Sequence, residues 1–312
     1  MIPRLPKNLF WLVLCWLVCL DQANSQDLTH QVGAFYNVGY GARATAMAGA
    51  YTALSDDVFG GLWNPAGLRQ VKQQGAGFFY LRQFGLIPYL AATFVHPVQS
   101  STWTHGEALL VSGDDAMRET ILAFSMAVQL DRYIDNLTVG ASLRYKNATF
   151  GNNMDGGIGQ VRGNAVGFSL DVGLHYRLHE RLRLGLMAEN LLDVVSWNTS
   201  AKGSYGQPSP MGGKIGLAFL WPESWIVSMD LDKSFYRDTQ DHLRFGIEKS
   251  LFSMLYLRSG LHTRLSPDSY LDYHLGLGIS RITINQAQLS LDMAYVMDQL
   301  QNALRCSLTI EF

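Results

Sequence analysis

Leu304-Arg305-Cys306-Ser307-Leu308-Thr309-Ile310-Glu311-Phe312 closes the chain, and its reading decides the fold. Leucine, cysteine, leucine, isoleucine and phenylalanine occupy every second position, with Arg305, Ser307, Thr309 and Glu311 between them. A strict period of two puts one set on each face of an extended strand, because successive side chains of a strand point to opposite sides. The same pattern recurs upstream. Leu289, Leu291, Met293 and Tyr295 stand against Gln288, Ser290 and Asp292, and Leu271, Tyr273, Leu275, Leu277 and Ile279 stand against Asp272, His274, Gly276 and Ser280. Residues 166–177 set Val166, Phe168, Leu170, Val172, Leu174 and Tyr176 against Ser169, Asp171, His175 and Arg177.

A soluble sandwich alternates in the same way, but two features separate the readings. The runs reach ten residues or more, whereas soluble strands average about five or six. Aromatics also gather near the run ends (Trp103, Trp197, Trp221, Trp225, Tyr236, Tyr270, Phe312), as interfacial girdles require. Lipid offers no hydrogen-bond partner to an open sheet edge, so lipid-facing strands must close. The expected fold class is therefore all-β: a transmembrane up-and-down antiparallel β-barrel.

Candidate strands fall at 72–82, 86–96, 101–112, 117–131, 136–149, 164–179, 181–191, 212–221, 224–236, 241–249, 254–265, 270–281, 286–297 and 302–312. That makes fourteen, an even number, with alternation weakest over 86–112. The longest links, 150–163 and 192–211, both leave odd-numbered strands, while even-to-odd links such as His179-Glu180 and Trp221-Pro222-Glu223 are tight. Long loops at one mouth and short turns at the other are what such barrels show.

Composition agrees. Of 312 residues, 16% are charged, against about 25% in ordinary soluble proteins, and 12% are aromatic. The formal net charge is −2 and no basic run is present, which argues against a nucleic-acid partner. Residues 1–25 read as a signal peptide: Arg4 and Lys7 precede an apolar stretch from Leu9 to Leu20, and Ala23-Asn24-Ser25 offers a small-residue cleavage site. The stretch is too short for a stop-transfer helix, which needs about 20 residues. Cys15 and Cys19 leave with it, so Cys306 alone remains and no disulfide or cysteine metal site is expected.

Residues 26–70 do not alternate. Ala42, Ala44, Ala46, Ala48 and Ala50, with Met47, Tyr51, Ala53 and Leu54, suggest a short helix between glycine-rich turns, followed by Gly60-Gly61 and Trp63-Asn64-Pro65-Ala66-Gly67-Leu68. A segment this compact before the first strand is expected to plug the lumen as a hatch, leaving 71–312 as the barrel. Pro65 fixes a rigid corner, and Asn64 can close an Asx-turn there. Gly39, Gly41 and Gly49 are expected to let backbone approach a wall closely. Asp56 and Asp57 pair with lumen arginines or with Arg43, or else sit in a solvated turn.

The run Gly41-Ala42-Arg43-Ala44, Met47 to Leu54 with Gly49, Asp56-Asp57 and Trp63-Asn64-Pro65-Ala66-Gly67-Leu68 resembles the N-terminal signature of the PorV/PorQ family, within the FadL-like outer-membrane barrels. The strong match covers about residues 33–70. The resemblance implies a plugged barrel in the outer membrane, in contact with its lipid and folded by the barrel-assembly machinery, with Phe312 as the C-terminal assembly signal. It further implies a part in type IX secretion, binding exported proteins with C-terminal sorting domains and other secretion-system subunits.

No enzyme chemistry is expected. There is no G-x-S-x-G elbow, no H-E-x-x-H, and Gly212-Gly213-Lys214 runs into Ile215 rather than Ser or Thr. Asp230 and Asp232 share a strand face, but two carboxylates fall short of the six to eight oxygens calcium takes. The glycine-rich 152–163 reads as a surface loop, and no cofactor is implied. Arg144, Lys146, Asp171, Arg258, Asp292 and the other polar-face charges are expected to form a hydrated lumen laced with ion pairs. The alternative function is a FadL-like transporter of hydrophobic small molecules, which would need an apolar pocket between the hatch and inward aromatics such as Tyr256 or Phe94.

Overall fold

Alternation built on apolar and polar faces becomes, in the computed structural model, a closed cylinder. The structure describes residues 32–98, 101–151, 160–235, 240–266, 269–298 and 302–312. The expected signal peptide and most of the 152–163 loop lie outside the described residues.

Among the described residues are fifteen strands: β1 (Gly75–Gln83), β2 (Ile87–Pro97), β3 (Trp103–Gly113), β4 (Met117–Gln129), β5 (Leu137–Phe150), β6 (Gly163–His179), β7 (Leu182–Thr199), β8 (Gly203–Gly206), β9 (Gly212–Trp221), β10 (Trp225–Ser234), β11 (His242–Leu251), β12 (Leu255–Arg264), β13 (Leu271–Ile284), β14 (Ala287–Met297) and β15 (Ala303–Glu311). Apart from β8, which pairs only with β7, each strand pairs antiparallel with its neighbours in the cylinder, β7 with β9 and β1 with β15, so fourteen strands close into an up-and-down barrel. The fifteenth strand, β8, is an addition to the expected count. The 192–211 link is not a plain loop: β7 runs on to Thr199 and folds back through β8, pairing Trp197 with Tyr205. Trp197 is buried there against Phe150 and Tyr205, and the apolar cluster they form sustains the hairpin.

The faces divide as the alternation requires. On β15, Leu304, Cys306, Leu308 and Ile310 point outward while Arg305, Ser307 and Thr309 are buried. Leu275, Leu277, Leu291, Met293, Phe124 and Phe168 are likewise exposed, an apolar belt of the kind that faces lipid. Tight turns join the strands at the end opposite the long links, and Glu223, Ser224, Phe252 and Ser253 adopt left-handed backbone there. Phe94, expected to face inward, instead points out from β2 and packs against Phe312 with ring centres 6.3 Å apart. Among the described residues no helix is long and apolar enough to cross a membrane.

Candidate functional site

The lumen is filled by the chain's own N-terminal part, which consists of short helical turns at Ala34–Val38, Ala42–Ala46, Gly60–Leu62 and Pro65–Gln70. Small residues make it thin: Ala42, Ala44, Ala46, Ala50, Ala53 and Ala66 are all fully buried. The Ala42–Ala46 helix lies against β12–β15 and the Pro65–Gln70 turn against β2–β6, so the hatch crosses the bore.

Gly41 and Gly49 have φ of 88° and 75°, a left-handed backbone that favours glycine. Gly39 and Gly41 do not make room for the wall. A side chain there would strike the rings of Trp63 and Phe59, and one at Gly49 would strike Trp63 and the Arg244 guanidinium. Gly49 thus lies against Arg244 of the wall, and further close approach comes from glycines of the wall itself. A Cβ at Gly276 would lie 2.3 Å from the Ala46 side chain, at Gly260 2.5 Å from Ala48 N, at Gly185 2.2 Å from Thr52 O, and at Gly140 2.3 Å from Ala66 N. Alternation marks these positions as inward, but nothing in a single sequence says what each one touches.

Arg43 is the polar centre of the hatch. Its Nε and Nη2 donate to the two Glu248 oxygens at 2.8 and 3.0 Å, and its Nη1 donates to Asp56 at 2.6 Å and to the Tyr51 hydroxyl at 2.8 Å. Glu248 also accepts from Arg258 at 2.5 Å, which in turn donates to Asp292. Asp56 meets a second arginine, Arg183 of β7, at 3.2 Å. Asp57 accepts from the Tyr51 hydroxyl and from Phe59 N. The two neighbouring acids diverge. Burial raises both, but Arg43 and Arg183 bring Asp56 down to about 2, while burial prevails at Asp57 and pushes it up to about 6.

Asn64 is fully buried. Its Oδ1 accepts from Ala66 N at 3.1 Å, and its Nδ2 donates to Thr52 O within the hatch and to Leu174 O of the wall at 2.9 and 3.1 Å. Pro65 starts the turn that follows, and Gly67 packs directly on Ser55. Trp63 donates from its indole to Tyr40 O at 2.7 Å. Wall side chains bond the hatch backbone along its length: Asp230 accepts from Tyr51 N and Thr52 N, His175 donates to Ala53 O, His274 donates to Thr45 O, and Arg305 donates to Val38 O. Asp230 is thus committed to the hatch, and Asp232 pairs with Arg244 at 2.8 Å. Phe312 stands apart, exposed at the barrel rim.

Above the hatch, at the end carrying the long links, a cavity of about 710 Å³ opens. Lys214, Asp232, Arg244, His262, Asp272 and Arg305 contribute to its walls, and Tyr40, Trp63, Met211 and Val296 add apolar surface. The Ser209-Pro210-Met211 segment folds over it, tied down by Asn190 to Pro210 O and by Ser209 N to Asp193. Sequence reasoning missed Glu189, paired with Lys214 at 2.7 Å, and Asp193, paired with Lys146. Asp193 lies in the expected 192–211 link, and Glu189 near the end of the expected strand 181–191. Among the described residues no group of three or more His, Cys, Asp or Glu is placed to hold a metal.

No protein-family model matches the chain, and no curated protein matches it. Solved structures do. The CymD monoaromatic hydrocarbon channel superposes with a TM-score of 0.62 at 16% identity, covering 88% of this chain and 98% of the other. A Pseudomonas aeruginosa FadL homologue gives 0.63 at 9% identity, covering 88% and 98%. The Pseudomonas putida toluene transporter TodX gives 0.58 at 14%, covering 87% and 96%. At these identities the likeness is one of fold alone: a closed antiparallel barrel of fourteen strands with a short N-terminal plug.

Proposed function

We propose that the chain is an outer-membrane channel that admits small, largely apolar molecules in the manner of FadL-like barrels. The observation that carries this is the cavity at the long-link mouth, closed below by a hatch that is bonded to the wall rather than fused into it. Its lining mixes charged groups with Tyr40, Trp63, Met211 and Val296, which suits a cargo with an apolar body and one polar group. Among the solved structures it resembles, one is named a monoaromatic hydrocarbon channel and another a toluene transporter. Delivery to the outer membrane would use the expected signal peptide, with Phe312 read by the barrel-assembly machinery.

The test is uptake into vesicles reconstituted with the full mature chain. Toluene and benzoate are the probes, and the expected result is entry faster than into protein-free vesicles. No acceleration for either compound, together with unchanged uptake by cells lacking the gene, would overturn the reading.

A second reading rests on Trp63-Asn64-Pro65-Ala66-Gly67 and the residues before it, the stretch that resembles the PorV/PorQ signature. In that reading the barrel serves type IX secretion and holds exported proteins or sister subunits at its outer loops. It expects proteins with C-terminal sorting domains to accumulate in the periplasm of a deletion strain. Normal surface display in that strain excludes it.

A further inference from the structure

Among the described strand residues, one outward-facing charge stands more than three residues from a strand end. His96 of β2 and His105 and Glu107 of β3 all point away from the lumen, as the burial alternation of the two strands shows. His96 and His105 are cross-strand partners with ring centres 5.1 Å apart. Glu107 lies 3.8 Å from His105 Nε2, an ion-pair distance when the imidazole is protonated but too long for a hydrogen bond, and its side chain is 45% exposed. Its own cross-strand partners are Phe94 and Phe124. Met126 and Val128 of β4 lie opposite His105 and Trp103 on one side of it, and Leu109 and Leu122 pair on the other. Glu107 therefore sits within the belt. The other outward charges on described strands (Arg82, Arg118, Lys233, Lys249 and Arg281) lie within three residues of a strand end, from which a long basic side chain reaches the interface.

A carboxylate that accepts no hydrogen bond and has only a long contact to one imidazole is costly against lipid, and the cost grows with depth. A partner that supplies donors removes it. The patch carries both halves of such a contact, acceptor and imidazole donors, on two adjacent strands. Copies of a barrel enter the membrane in one orientation, so a two-fold axis along the membrane normal can set Glu107 of one copy against His96 and His105 of the next. An isologous contact needs that kind of self-complementarity. We propose that the β2–β3 wall is the interface of a homodimer in the membrane, sealed by reciprocal Glu107–imidazole pairs. The inference stands apart from the transport reading, since it concerns the outer wall and not the bore.

Sedimentation equilibrium of the full mature chain in density-matched micelles, with chemical crosslinking in native membranes, tests it. The wild type is expected to dimerise, and Glu107→Leu to raise the dissociation constant roughly thirtyfold or more, with Glu107→Gln shifting it the same way. Heat-modifiable migration on gels verifies that each variant is still a folded barrel, and Leu275→Ala on β13 should leave association unchanged. A wild type that stays monomeric in both settings would overturn the proposal. So would a dimer indifferent to Glu107→Leu, or a β2–β3 wall that crosslinks to a lipid or a different protein and not to its own copy.

Discussion

The lumen has two unlike halves. Strands β1 to β4 present Phe79, Leu81, Val95, Leu110 and Ile121 to the hatch, which meets them with Phe35, Tyr40, Phe59 and Leu68 in one apolar cluster. Tyr40 and Phe79 stack edge-on at 5.4 Å. Strands β5 to β15 present glycines and charges: Arg144 against Asp171 at 2.5 Å, the Arg43–Glu248–Arg258–Asp292 chain, and Asp230 on hatch N–H groups. The first half holds the hatch by burial, which is strong and indifferent to orientation. The second half adds little net stability, since desolvation offsets much of the attraction between buried charges, but it fixes where the hatch sits. Adhesion and placement are thus supplied from opposite sides of one barrel.

Removing one member of the charged chain should break this division most severely. Glu248→Ala leaves Arg43 and Arg258 buried without their shared carboxylate, at an expected cost of about 3–5 kcal/mol in urea unfolding from micelles. Replacing all four with apolar residues should cost far less, and the hatch should then become more sensitive to protease. On the apolar side, Ile121→Ala should cost about 2–4 kcal/mol through the cavity it leaves, with protease sensitivity of the hatch changed little until global unfolding.

The paired acids sharpen the contrast by pH. Asp57, raised to about 6, favours the folded state fully below pH 4 and loses that contribution as pH climbs through 6. Asp56, lowered to about 2, behaves oppositely: its contribution is complete above pH 4 and is lost as pH falls towards 2. Asp57→Asn should therefore abolish a decline of about 2 kcal/mol between pH 4 and 6, measured by unfolding at fixed urea. The smallest effect belongs to the rim. Lys233→Ala breaks a partly exposed 3.1 Å pair with Asp241 and should shift stability by less than about 0.5 kcal/mol.

The same division explains what was legible from residues alone. Strands beside the charged half alternate cleanly, so β13, β14 and β15 stand out in the bare sequence. Over 86–112 the inward positions Tyr89, Ala91, Val95 and Leu110 are as apolar as the outward ones, because they face the greasy side of the hatch. Period two fades there for that physical reason, and Phe94 was assigned to the wrong face in the same stretch. Local chemistry at the hatch, such as the Asn64–Ala66 contact, spans two residues and can be read directly. The Asp56–Arg183 pair joins positions 127 apart, and only the closed barrel brings them together. Glu107 is the reverse case: its spacing is regular, and only the direction it faces makes it unusual.

The seam between β1 and β15 pairs Gly75–Leu81 with Arg305–Glu311, the first strand of the cylinder with the last. No ring exists until the final residues of the chain arrive. In the closed ring the segment ahead of β1 lies between walls whose bare glycines leave it no clearance. The cork is gripped along its length by those glycines, so its placement and the closing of the seam are coupled.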